Sequence, residues 1–442
     1  MPEKYQKFIE PYISKLSQNK GLMAISNAFG TLIPVMMVGS IFSLLVNIQW
    51  EAYENFITTT GLKDVMRLPA IMSTEIIALI AVFFIGYRFA EVHGENGAIP
   101  GLLSLVSFLM ITPLGEGLSR GGDMTRMMSF EWLGAKGLFV AIIIGLVTSK
   151  MYMFFIDKGL VIKMPEGVPP TISLSFAGLI PGFLITTFFL AISTVLNSTV
   201  GSIHHVVFTF IQTPLEHLGG SYPALLLGIL VMAGLWLLGI HGTMVTLSLI
   251  NPVWMSLDFQ NLAAYTAGQP LPNIIGTKFM VNYVLIGGAG TTIGLGLWMA
   301  FKAKSKKLSK LGKMTLPTNM FNINEPLLYG TPIVMNPILA LPFVITPLVS
   351  GTLAYFATTL GIVPRLIGVQ VPLPTPTILS GFLQGSWKIA ALQIVIIFIS
   401  LAIYFPFFKK LDNQYIKEEQ EEIQLNIESV TSLGSKEKPK AS

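Results

Sequence analysis

Cysteine is absent from all 442 residues. That removes disulfides, thiolate metal sites and any cysteine-borne covalent intermediate from this sequence. Charge is scarce as well. Charged residues make up 12% of the chain and hydrophobic residues 52%, where an average soluble domain carries about 25% charged residues. This supply cannot cover a large water-facing surface. The little charge is also unevenly placed, with 13 of the 51 formal charges in the last 34 residues, from Lys409 onward. The adjacent pair His204-His205 has no carboxylate beside it in sequence, so no metal site and no cofactor are expected. The net charge of +5 is no sign of nucleic acid, because the basic residues border apolar runs, where the positive-inside rule accounts for them.

What the chain does have is long apolar sequence. A bilayer core about 30 Å thick takes about 20 apolar residues per helix. Runs near 25–47, 71–92, 97–114, 135–156, 173–197, 222–240, 278–300, 333–360 and 389–408 qualify. With one more span hidden in a broken region, about ten transmembrane helices are expected, an all-α integral membrane fold over residues 1–408. Two regions read poorly as plain helices: Gly239–Pro272, with Pro252, Pro270 and Pro272, and Pro364–Gly385, with Pro364, Pro372, Pro374 and Pro376. Proline removes a backbone donor, and broken backbone survives in a membrane only against protein or a water-filled cavity. Both are candidates for re-entrant hairpins lining a solute path; ordinary external loops are the alternative. Glycines 287, 288, 290, 294 and 296 lack the Gly-Lys-Ser/Thr of a phosphate loop and are read as close helix packing.

Lysine sets the orientation. Six lysines lie between Lys302 and Lys313, four more precede the first span, and Lys409 and Lys410 follow the last. Positive-inside counting places all three groups in the cytoplasm, and both termini with them. The first residues are polar and hold Pro2 and Pro11; no removable signal peptide is expected, and Pro2–Leu16 suits an interfacial helix. Residues 409–442 read as a charged cytoplasmic tail, helical briefly and largely disordered.

A polar or ionisable side chain within such apolar sequence is a functional candidate by default. Glu325 lies in Asn322-Ile323-Asn324-Glu325-Pro326. Pro326 disfavours helix at Glu325, and two amides beside a carboxylate offer the donors and acceptors that sugar hydroxyls need. A surface loop capping the next helix is the equal alternative. His241 sits between glycines in Gly239-Ile240-His241-Gly242, and Asn251 follows before Pro252. Trp236 and Trp387 are candidates to stack on sugar rings, or else interfacial anchors. Lys136 and Arg88 stand at span ends, where snorkelling also places such residues.

Taken together, Gly-Ile-His-Gly at 239–242, Asn-Ile-Asn-Glu-Pro at 322–326, Leu-Gly-Ala-Lys-Gly at 133–137 and Gly-Ser-Trp-Lys at 385–388 resemble the lactose, cellobiose and diacetylchitobiose family of phosphotransferase enzyme IIC proteins. The resemblance implies a homodimer of ten-helix subunits in the bacterial cytoplasmic membrane, with two re-entrant hairpins around an occluded disaccharide. It implies that His241 and Glu325 reach the sugar hydroxyl that accepts phosphate. Asn322, Asn324, Asn251, Trp236, Trp387, Lys136 and Arg88 are expected to line the substrate site. In that family the phosphoryl donor is a cysteine on a IIB component, itself served by IIA. With no cysteine in this sequence, IIB is expected as a separate polypeptide, as in cellobiose- or chitobiose-type systems. The expected function is therefore uptake of a β-linked disaccharide with phosphorylation by phospho-IIB. An ion-coupled transporter with Glu325 as proton carrier is the main rival, and a receptor without turnover is a third reading.

Overall fold

In lipid an apolar segment must satisfy its own backbone, which favours helices. Helices are what these runs form in the computed structural model, which describes residues 15, 18–48, 50–118, 123–199, 201–331, 333 and 336–436. The interfacial helix expected over Pro2–Leu16 lies almost wholly outside the described residues. The first half comprises α1 (Lys20–Val46), α2 (Leu62–Thr74), α3 (Ile77–Val92), α4 (Ala98–Ile111), α5 (Leu138–Asp157) and α6 (Leu179–Thr199). Glycines let these helices approach closely: a Cβ on Gly86 would lie 2.3 Å from the Ser104 hydroxyl, and one on Gly39 would lie 1.8 Å from that of Ser73. Phe29, Met36, Val82, Ile85, Phe108 and Leu138 form the core of this bundle. Among the described residues the all-helical expectation has one exception. A two-stranded hairpin, β1 (Leu114–Leu118) with β2 (Met124–Met128), places Glu116 opposite Arg126, an opposite-charge pair of the kind that stabilises paired strands.

The second half comprises α7 (Tyr222–Leu237), α8 (Gly242–Thr266), α9 (Ile293–Lys302), α10 (Lys306–Met320), α11 (Glu325–Gly330), α12 (Pro337–Thr359) and α13 (Trp387–Lys436). Trp236, Phe279, Tyr283, Phe343 and Tyr404 belong to its core. Helix α8 serves both halves, with Trp254 and Leu257 in one core and Met255, Phe259 and Leu262 in the other. Among the described residues, six helices are long and apolar enough to cross a bilayer, and two bent pairs raise this to eight. The chain is a multi-pass, mainly helical membrane protein.

The breaks fall partly where proline suggested and partly elsewhere. Pro252 lies inside the continuous helix α8, so the expected break over 239–272 is confined to its two ends. The plain span expected over 278–300 is instead the broken one. A π-helical turn at Met280–Val284 leads to Gly287, Gly288 and Gly290, all with positive φ, and the flanking helices differ in direction by 54°. Glycine tolerates that backbone where other residues are strained. From Pro364 to Ile378 there is no helix, as its prolines predict. Leu366–Val371 is nevertheless buried, and side chains satisfy its backbone: Asn261 donates to the Leu366 carbonyl (2.9 Å), Gln384 to that of Val369 (2.9 Å) and Lys278 to that of Val371 (3.1 Å).

Helix α13 runs past the expected boundary at 408/409. Asp412 accepts from the backbone N–H groups of Lys304 and Ser305, and Glu419 from those of Lys306 and Lys307. The start of the tail thus caps the N-terminus of α10, where unpaired N–H groups favour carboxylates.

Candidate functional site

Helix α7 ends at Leu237, and the chain turns through Gly239 at φ 83° into α8. The turn is tight: a Cβ on Gly242 would lie 2.0 Å from the Met232 carbonyl oxygen. His241 caps α8, its Nδ1 accepting from the Met244 N–H at 3.2 Å. An acceptor at Nδ1 puts the proton of a neutral imidazole on Nε2. Nε2–H therefore donates to Glu325 Oε1, 3.3 Å away. The Trp236 ring lies 4.4 Å from the imidazole, and its indole N–H donates to Thr243. Tyr329 meets Trp236 edge-on, with ring centroids 6.2 Å apart.

Glu325 opens α11, with Pro326 in the first turn, where the missing proline N–H costs no helical bond. Its side chain is 39% exposed and that of His241 31%, so a solute reaches both. Oε1 carries the histidine bond, whereas Oε2 is shielded and has no hydrogen-bond partner. Glu325 lies outside the spanning helices; the hydrogen bond from His241 holds its carboxyl below the ordinary carboxylate range, against burial, which pushes the other way.

The two asparagines of the motif are buried and bonded to backbone. Asn324 donates to the Ala289 carbonyl and to Thr292 Oγ1, both at 2.7 Å, and accepts from the Ala289 N–H at 3.2 Å. Asn322, at φ 63°, accepts from the Gly287 N–H (2.9 Å) and from Thr377 (3.1 Å) and donates to the Thr375 carbonyl (3.2 Å). Between them they tie three segments together: the glycine break at 287–292, the Glu325 turn and the proline-rich stretch. The fit is close, for a Cβ on Gly288 would lie 2.3 Å from the Asn324 amide.

The other residues singled out by sequence lie apart from this pair. Asn251 accepts from Thr277 at 3.0 Å. Trp387 starts α13 and is 66% exposed. Arg88 pairs with Glu91 and donates to Thr31. Lys136 pairs with Glu131 and lies over the Phe208 ring, on the wall of a separate cavity. The buried pair Asp258 and Lys278, with Asp258 accepting from the Lys278 backbone N–H at 2.9 Å, was missed. Charges inside apolar sequence were the available sign of it.

Residues 26–347 match the family described as phosphotransferase system, EIIC. The chain is 36% identical to the lichenan permease IIC component of Bacillus subtilis (strain 168), over 93% of this chain and 94% of that one. It is 35% identical to the cellobiose-specific EIIC component of Geobacillus stearothermophilus, over 93% and 94% of the two chains. Among solved structures it superposes on the transporter ChbC, the IIC component of an N,N'-diacetylchitobiose-specific phosphotransferase system. The TM-score is 0.88 at 36% identity, covering 94% of this chain and 99% of that one.

Proposed function

The chain belongs to the phosphotransferase system EIIC family, and from that premise we propose that it carries a β-linked disaccharide across the membrane and presents it at His241 and Glu325 for phosphorylation by phospho-IIB. The observation that carries this reading is the part-exposed His241–Glu325 pair. Nε2–H donates to Oε1, and the exposed side of the carboxylate accepts the proton-bearing sugar hydroxyl. The hydroxyl oxygen attacks phosphorus on the IIB phosphocysteine, the S–P bond breaks, the thiolate leaves, and the hydroxyl proton passes to Glu325. A carboxylate placed to take that proton acts as a general base. Asn322 and Asn324 work one step back, holding the turn that aims Glu325. Trp236, buried against the imidazole, holds His241 in place, and the exposed Trp387 supplies a ring face at the sugar's far end. Lys136, Arg88 and Asn251 shape the path.

The membrane arrangement follows the same reading. The eight spans counted with the bent pairs, together with α4 and α8, make ten. The break at 280–292 is a bend within one of these spans, the stretch at 364–378 is a re-entrant element, and both termini are cytoplasmic in the bacterial inner membrane, as the lysines beside α9 and α13 require. The protein works as a homodimer. The test uses the purified protein with phospho-IIB and cellobiose. Phosphoryl transfer to the sugar that requires this chain supports the reading, and transfer that is absent for cellobiose, diacetylchitobiose and lactose alike refutes it.

A further inference from the structure

Glu216 is a second carboxylate set in apolar sequence, in the short helix Thr213–Gly219 that precedes α7. Its Oε1 accepts three hydrogen bonds, from Gln212 Nε2 (2.8 Å), Ser256 Oγ (2.7 Å) and Gln260 Nε2 (2.8 Å). Three neutral donors fix the carboxylate without neutralising it, and no Lys or Arg pairs with it among the described residues' ion pairs. The Gln260 amide is itself oriented by Asn273, which donates to its Oε1 at 3.0 Å. Glu216, Gln260 and Asn273 line a cavity of about 630 Å³, together with Glu131, Lys136 and Phe208. That volume falls within the roughly 300–1,000 Å³ of small-molecule sites.

The lining chemistry selects a ligand class. Carboxylate and amide oxygens accept, the Lys136 ammonium donates, and an aromatic ring offers a face for C–H groups. Hydroxyls both donate and accept, so a polyhydroxylated neutral molecule matches each wall. An anion does not, because Glu75, Glu131 and Glu216 all border the space against one lysine, and like charges repel. A phosphorylated sugar is therefore disfavoured here. The cavity is also distant from His241. Leu257 and Gln260 lie well along α8 from its capping residue His241, roughly 24–28 Å at the helical rise of about 1.5 Å per residue. One disaccharide cannot touch both places.

We propose that this cavity is a second binding site for a neutral β-linked saccharide, separate from the His241–Glu325 pair and selective for sugar before phosphorylation. It rests on the sugar-permease reading above. The full-length protein carrying His241→Ala and Glu325→Gln together weakens the first site, so that the cavity variants added to it report on the second. Cellobiose and phosphorylated cellobiose are titrated into it by calorimetry in detergent. Cellobiose should still bind and its phosphate should not. Glu216→Gln, added to this background, should weaken the residual binding about tenfold by replacing charge-assisted hydrogen bonds with neutral ones. Ala263→Trp should abolish it by filling the space, and Ala267→Phe serves the same end should the larger ring prevent folding. No cellobiose binding in the doubly substituted protein, residual binding indifferent to Glu216→Gln and to both filling variants, or equal binding of the phosphate would each overturn the proposal. The permease reading fails separately: wild type would then give no transfer from phospho-IIB, while cavity-dependent cellobiose binding could persist.

Discussion

Glu325→Gln separates the chemical role of the carboxylate from its binding role. The amide keeps the shape and still accepts the His241 Nε2–H bond that spans 3.3 Å in the native protein. It loses the charge and the base. A hydrogen bond to a charged group contributes about 1.5–3 kcal/mol and a neutral one about 0.5–1.5, so one hydroxyl bond weakens by about 1 kcal/mol. That is roughly a fivefold rise in Kd for cellobiose. Removal of a general base costs about 10²–10⁴ in rate. Binding is read by calorimetry or by the fluorescence of Trp236, whose ring touches His241, and turnover by single-turnover transfer from phospho-IIB. Binding should fall by less than about tenfold and transfer by at least about a hundredfold. Equal losses in both, or transfer within about threefold of wild type, a change under 1 kcal/mol, would refute the base assignment.

Three further outcomes follow from the same geometry. Because the His241 bond depresses the Glu325 pKa, the carboxylate is ionised down to a lower pH with the imidazole present; His241→Ala should move the acid limb of sugar phosphorylation to higher pH, and an unmoved pH–rate profile would contradict that coupling. Asn324→Ala strands the Ala289 backbone groups and Thr292 and should cost about 2–4 kcal/mol of stability, read as a lower Tm in detergent; an unchanged Tm with weaker sugar binding would make Asn324 a sugar contact instead. Ser305 is fully buried, whereas Lys310 is exposed, so Lys310→Cys is the position for topology, and labelling of intact cells by an impermeant thiol reagent would reverse the proposed orientation.

The legible part of this molecule was the part governed by composition and local chemistry. Apolar runs longer than a bilayer needs predicted helices, and most appear within a few residues of the expected bounds. The proline-rich stretch from Pro364 was rightly read as broken. Pro252 misled because a proline removes only one helical bond, and α8 continues through it. The glycine run at 287–296 was read as close packing. Gly294 does pack against Ser400 and Gly296 against Asn319, but Gly287, Gly288 and Gly290 turn the chain, and their distant partners Asn322, Asn324 and Phe343 could not be read from spacing. The same holds for the site. His241 and Glu325 stood out singly, each flanked by residues that open the backbone; that they meet depends on how α7, α8 and α11 pack. The motif asparagines looked like ligands because amides suit sugars, yet amides suit exposed backbone equally well.

Group translocation makes one demand that no ion-coupled carrier shares: the sugar that appears inside is chemically altered by the donor. Right-side-out vesicles containing this protein and loaded with phospho-IIB on the inner, cytoplasmic side are supplied with labelled cellobiose outside, and the internal label is identified by its charge. Phosphorylated cellobiose, accumulating only when phospho-IIB is present and lost with Glu325→Gln, is the predicted result. Free cellobiose, accumulating without IIB under an imposed pH gradient and lost with the same substitution, would contradict it.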